Sequence, residues 1–194
     1  MSRLISVVGA SGVGKTALVQ ALAHADKFTI AYEQHAKRPF QNLFKQDTRY
    51  ALANQIDYLL LRAEQEAVLR ASPQIGLMDG GLDLDFHGFT RLFHHRGLLT
   101  DPEYDLCRRL YTFVRDSFPP PDLIVRLDAD EGTVARRLSR RERVNIASAE
   151  YTMLFNSFLD EWLASIPSTQ VLELDVSKEN IAYSKSVDTI LKRI

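Results

Sequence analysis

Eight consecutive residues, Gly9, Ala10, Ser11, Gly12, Val13, Gly14, Lys15 and Thr16, carry the spacing G-x-x-x-x-G-K-[ST]. That spacing serves phosphate. Glycine-rich backbone turns successive N–H groups toward phosphate oxygens, the lysine reaches the outer phosphates, and the hydroxyl meets Mg²⁺. The setting agrees with the motif: the apolar run LISVV precedes it, and TALVQALAHA follows as a helix whose positive end points at the anion. Lys15 is thereby assigned to the β and γ phosphates and Thr16 to the metal ion. The loop by itself leaves open what is done with the phosphate.

Further candidates lie downstream. Glu33 follows FTIAY and Asp79 ends IGLMD, and ligands of open α/β sheets bind outside the carboxyl ends of the strands. Phosphoryl transfer to a hydroxyl needs one carboxylate to take the proton and another to order the metal shell. Glu33 as base and Asp79 as metal partner fit that need, although either residue alone reads equally well as a solvated loop acid. In ARRLSRRER, the arginines 136, 137, 140, 141 and 143 crowd together, and guanidinium forks suit the spread charge of a transferring phosphoryl group. Alone, such a run is a solvated basic face. Beside a phosphate loop it reads as a lid over ATP at about 136–148. Gln55 and Arg62, seven residues apart on one helix face, can point into one pocket, where the amide's donor and acceptor match the edge of a nucleobase. The plainer reading of that pair is two surface side chains.

These residues need a scaffold, and the patterning supplies one. Short β-rich runs recur at LISVV (4–8), FTIAY (28–32), IGLM (75–78), LIVRL (123–127) and VLEL (171–174), separated by helix-length segments. Such alternation predicts an α/β fold with a parallel sheet covered on both faces. The Pro- and Gly-free stretch from about Asp47 to Ala71 predicts one long helix stopping at Ser72-Pro73. The prolines at 119–121 hold the chain extended before the fourth strand. With 194 residues, 45% hydrophobic and 25% charged, a single domain spanning 1–194 is expected. A balance of 24 basic against 25 acidic side chains offers no field for gripping nucleic acid or an acidic membrane, so small molecules are the expected partners. One cysteine, no apolar run of bilayer length and no secretory leader lead to a cytoplasmic expectation.

Taken together, EQHAKRPFQNLF and RYALANQIDYLLLRAEQ resemble the deoxynucleoside kinases, in which the second strand ends in Glu and leads to a P-[FY] segment and a long Gln-bearing helix. The similarity runs nearly end to end. It takes in the phosphate loop, Glu33, Pro39-Phe40, Gln55, Arg62, the acid after the third strand, GLLTDPEYDLCRRLY, PDLIVRL, EYTMLFNSFLDEWL and the R-L-x-x-R-x-R lid at Arg137, Arg141 and Arg143. The resemblance implies a three-layer α/β/α fold with five strands in the order 2-3-1-4-5. It implies ATP- and Mg²⁺-dependent phosphorylation of a deoxynucleoside 5′-hydroxyl with Glu33 as base, and a homodimer built on the long helix and residues 84–118. It also implies a base pocket of Gln55, Arg62, an Asp six residues beyond Asp79, which is Asp85, and a stacking ring at Phe89.

Two departures stand out. The family's third strand ends in an acid followed by Arg-Ser, with that Arg beside the attacking hydroxyl; here Gly80 and Gly81 follow Asp79. A family glutamate that holds the sugar after the lid arginines is replaced by RVNIAS, and its partner tyrosine maps to Phe44 or Lys45. A nearby cation such as Arg91 or Arg108 is the expected substitute for the lost arginine. The alternatives these departures keep open are a kinase for another nucleoside or a monophosphate, and an ATP-binding regulator with weak or no turnover.

Overall fold

The computed structural model describes residues 2–33, 38–139, 149–180 and 182–194. The apolar runs become the parallel strands β1 (Leu4–Val8), β2 (Phe28–Ala31), β3 (Ile75–Asp79), β4 (Leu123–Asp128) and β5 (Val171–Asp175). They form one sheet in the order β2-β3-β1-β4-β5, as the resemblance implied. All five residues of β1 are buried, as an interior strand covered on both faces requires. The register of these strands sets where the phosphate loop emerges. Val7 pairs with Asp79 and Val8 with Arg126, so the loop leaves the sheet beside the end of β3.

Helices α1 (Lys15–Ala25), α2 (Pro39–Gln46), α3 (Ala51–Ala71), α4 (Arg91–His95), α5 (Asp101–Ser117), α6 (Glu131–Ser139), α7 (Ala149–Ala164) and α8 (Ser184–Leu191) complete the layers. One sheet face packs Ile5, Val7 and Val125 against Leu18, Leu22 and Ile190 of α1 and α8. The other sets Val8 and Ile124 against Phe155, Leu159 and Trp162 of α7. A third cluster joins Leu59 of α3 to Cys107 and Val114 of α5, with Phe86, Phe93 and Leu99 between.

The long helix starts later than the sequence suggests. Asp47 Oδ1 accepts from the Arg49 N–H at 2.9 Å and turns Thr48–Tyr50 into a 3₁₀ segment, so α3 begins at Ala51. A short polar side chain that bonds the backbone offers an alternative to the helical ladder, and here it wins. The other end stops at Ser72 before Pro73, as predicted.

A π-helical stretch, Leu84–Thr90, connects β3 to α4. Its wider turn brings the Thr90 hydroxyl back to within 3.0 Å of the Asp85 carbonyl five residues earlier. Buried charge fixes the stretch from behind. Arg115 of α5 donates to both Asp83 carboxylate oxygens at 3.0 Å and to Glu66 at 2.8 and 3.0 Å, and Arg70 donates to Glu66 at 2.9 Å. Each carboxylate is met by forked donors, the geometry in which a desolvated ion pair holds.

Candidate active site

The phosphate loop takes the conformation its glycines permit. Gly14 sits at φ +111°, where a side chain is strained, and a Cβ there would also run into the Tyr183 hydroxyl. Lys15 is buried beneath the loop, its Nζ donating to the Gly9 and Ala10 carbonyls at 2.9 and 3.1 Å. Arg137, near the end of α6, donates to the Val13 carbonyl and, at 3.3 Å, to Val176. It is the one lid arginine of the three assigned from the motif that can be placed: Arg141 and Arg143, like most of the lid at 136–148, lie outside the described residues. Tyr183, absent from the sequence reading, backs both Gly14 and the Arg137 guanidinium, 5.9 Å from its ring centre.

Asp79 is buried where β3 meets the loop, and its Oδ2 accepts from the Thr16 hydroxyl at 2.6 Å. Its other oxygen, Oδ1, is buried with no hydrogen-bond donor among the described residues. Burial pushes this carboxyl above the usual carboxylate range and the negative charge of Glu33 adds to the rise, while the Thr16 hydrogen bond and the Lys15 charge oppose it. A hydroxyl and a carboxylate with an unclaimed oxygen are the hard donors Mg²⁺ takes. The pair therefore fits the metal, which such sites bind through one or two protein oxygens together with substrate phosphates. Among the described residues no group of three or more His, Cys, Asp or Glu could cage an ion unaided.

On the acceptor side the structure gathers Glu33, Gln55, Arg62 and Asp85. Arg62 Nε donates to Asp85 Oδ2 at 2.7 Å, its Nη1 to Gln65 Oε1 at 3.0 Å, and its Nη2 lies 3.7 Å from Glu33 Oε1. Gln65 in turn donates to the Tyr32 carbonyl at 2.9 Å, tying α3 to the segment that carries Glu33. Gln55 is buried, with its Oε1 3.1 Å from the Thr90 hydroxyl. Phe89 borders a small apolar cleft with Ala10, Ser11, Leu92 and Phe155, its ring 4.8 Å from that of Phe155. The cleft touches Ala10 and Ser11 of the phosphate loop.

The sequence reading missed Tyr58. It is buried, and its hydroxyl is held protonated well above the ordinary range by burial first and then by the charges of Glu33 and Asp85. A signal existed: Tyr58 is three residues after Gln55 and four before Arg62, the spacing that shares a helix face.

Two proposed substitutes for the missing arginine are corrected. Arg91 pairs with Glu161 at 2.7 Å and lies over the Phe158 ring, and Arg108 pairs with Asp105 on the exposed face of α5. Neither pairing involves Glu33, whereas Arg62 stands 3.7 Å from its carboxylate. Of the two positions matched to the sugar-binding tyrosine, Phe44 packs on Phe93 with ring centres 5.0 Å apart, and Lys45 is exposed.

The sequence matches the family model described as deoxynucleoside kinase over residues 5–194. It is 22% identical to the deoxyadenosine/deoxycytidine kinase of Bacillus subtilis over 197 aligned positions, covering 98% of this chain and 91% of that protein. It is 27% identical to the deoxyadenosine kinase of Dictyostelium discoideum over 158 positions, covering 79% of this chain and 64% of the relative. Among solved structures, the deoxyadenosine kinase of M. mycoides with bound dCTP superposes with a TM-score of 0.80 at 18% identity, over 98% of this chain and 100% of the other. The same enzyme with bound dATP gives 0.80 at 16% identity, over 97% and 99%.

Proposed function

Because the chain belongs to the deoxynucleoside kinase family, we propose that it moves the γ-phosphoryl group of ATP to the 5′-hydroxyl of a deoxynucleoside. Members of the family are phosphotransferases acting on a hydroxyl group, and the chain is such a kinase. The observation that carries the reading is spatial: Thr16 of the phosphate loop bonds Asp79 at 2.6 Å, and Arg62, packed against the next residue Gly80, lies 3.7 Å from Glu33, so donor and acceptor groups share one crevice.

In this reading the residues from Gly9 to Thr16 cradle the triphosphate, and Lys15 leaves its own loop carbonyls for the β and γ phosphates. Thr16 and Asp79 would hold Mg²⁺, which supplies charge neutralisation on the phosphate oxygens. Glu33 takes the proton of the acceptor hydroxyl as its oxygen bonds to the γ-phosphorus and the bond to the β-phosphate oxygen breaks. Arg137, with Arg141 and Arg143, closes over the phosphates.

Gln55 faces the base edge, the Asp85–Arg62 pair closes the pocket's far end, and Phe89 stacks on the base. An amide and a carboxylate suit a base whose Watson–Crick edge shows an exocyclic amino group beside an unprotonated ring nitrogen, which describes adenine and cytosine. The bases named for the B. subtilis relative share that feature. The kinase is cytoplasmic, binds no nucleic acid, and forms a homodimer through α3 and α5. The exposed apolar side chains Leu60 and Val68 on α3, and Leu106 and Phe113 on α5, support that last assignment.

The test is to incubate the protein with Mg²⁺-ATP and, separately, each nucleoside, deoxynucleoside and monophosphate. Phosphorylated deoxyadenosine or deoxycytidine is expected, with Glu33→Gln lowering kcat by about 10²–10⁴-fold while ATP still binds. Turnover on monophosphates alone, or ATP binding without any acceptor, would overturn the reading.

A further inference from the structure

Helix α3 buries a cation completely, since Arg62 has no exposed surface. Two of its three nitrogens are satisfied, Nε by Asp85 and Nη1 by Gln65. The third, Nη2, points at Glu33 across 3.7 Å and makes no hydrogen bond among the described residues. Leaving a buried donor so placed is costly, and its direction therefore needs a reason.

Gly80 supplies half of that reason. A Cβ at Gly80 would stand 3.0 Å from Nη2 and 3.6 Å from Cζ of Arg62, and its φ of +85° disfavours any side chain. The guanidinium thus lies in the space that a side chain after Asp79 would need. The strand end gives up that side chain, and a cation from α3 comes to rest between Glu33 and Asp85.

We propose that Arg62 is the positioning residue of Glu33. Through the gap over Gly80 it orients the Glu33 carboxylate, and the same guanidinium locks Asp85, so one buried cation couples the proton-accepting end of the pocket to its base-facing end. The inference rests on the kinase reading, because the orientation of Glu33 matters only if a proton is to be taken. It also gives Gly80 a function as the residue that admits the cation. Among the described residues that act on Glu33 are Arg62 and Tyr58 from α3 and Asp79 from β3, with Lys15 acting on Asp79 in turn. Asp79 works against a second negative charge nearby, and Arg62 offsets it.

The experiment compares wild type, Arg62→Gln, Gly80→Ala, Glu33→Gln and the Arg62→Gln/Glu33→Gln double variant, using Mg²⁺-ATP and whichever deoxynucleoside wild type phosphorylates. Arg62→Gln is expected to lower kcat about tenfold and to move the acid limb of kcat/KM up by about one pH unit, because a carboxylate losing its cation holds its proton more tightly. In the Glu33→Gln background the same change should lower kcat less than about twofold, since its route to proton transfer is already gone, while its hold on Asp85 shows in the acceptor KM of both backgrounds. An acid limb at its wild-type position, with kcat losses that multiply independently, would overturn the proposal. Should Arg62→Gln not fold, Gly80→Ala carries the test: its methyl group crowds Nη2 at 3.0 Å without removing charge, so the limb is again expected to rise, and an unshifted limb rejects the coupling. No product from wild type with any nucleoside would instead overturn the kinase reading, and this inference with it.

Discussion

Asp79 shows how much one side chain is asked to do. Its Oδ2 is committed to Thr16, its Oδ1 is buried without a donor among the described residues, and burial favours its neutral form. A divalent ion would reverse that preference by stabilising the carboxylate directly. Asp79→Asn is therefore expected to raise the Mg²⁺ concentration needed for half-maximal activity at least about tenfold, the scale on which losing part of a metal's support is felt. Activity measured against Mg²⁺ at saturating ATP checks this, and an unchanged Mg²⁺ requirement would remove Asp79 from the metal site.

At the scale of elements, the π-helical stretch depends on the charges behind it. Arg115→Leu leaves Asp83 and Glu66 buried without their forked partner, and breaking such a pair from one side costs about 3–5 kcal/mol. Urea unfolding is expected to show that loss; one below about 1 kcal/mol would mean the network is solvated. His87, in the same stretch, stacks on Trp162 with ring centres 5.2 Å apart and lies 3.1 Å from the Tyr111 hydroxyl. That hydroxyl gives its proton to Asp83 at 2.8 Å, so the imidazole must donate to it from Nε2. Burial, followed by the charges of Arg91 and Arg115, lowers the His87 pKa from 6.5 to about 4.

The unfolded chain consequently takes up a proton that the folded one refuses. Stability falls as pH drops from about 6.5 toward 4, by at most about 3 kcal/mol. Asp79 runs the other way, since a raised carboxyl pKa favours the fold at low pH. The difference between wild type and His87→Phe isolates the histidine, and thermal midpoints of the two that keep a constant gap across that window would refute the assignment.

At the scale of the molecule, α3 joins the functions together. One side of it carries Gln55, Tyr58 and Arg62 into the site, while Leu60 and Val68 point outward with 45% and 65% of their surface exposed. Phe113 on α5 is 71% exposed, more than a large apolar ring ordinarily keeps in water. If this surface is the dimer interface, Phe113→Asp should give monomers by light scattering at concentrations where wild type is dimeric. A variant that stays dimeric would place the interface elsewhere. If the same helix serves pocket and interface, loss of the dimer is also expected to raise the acceptor KM.

The sequence alone determined the parts whose information is local. The phosphate loop was legible from Gly9 to Thr16 because consecutive residues build it, and the five strands because β-rich runs alternate with helix-length segments. The start of α3 was not, because the Asp47 side chain competes with the helix for the backbone. What only the tertiary structure decided is that Arg62 stands beside Glu33. Sequence reading turned to Arg91 and Arg108, whose charge is visible in the chain but whose partners, Glu161 and Asp105, are fixed by packing and by helix geometry. Arg62 reaches Glu33 across twenty-nine positions, through a space that exists because residue 80 has no side chain. Such a meeting belongs to no local pattern, since two helical turns, a strand end and a missing Cβ must coincide in space before the electrostatics can act.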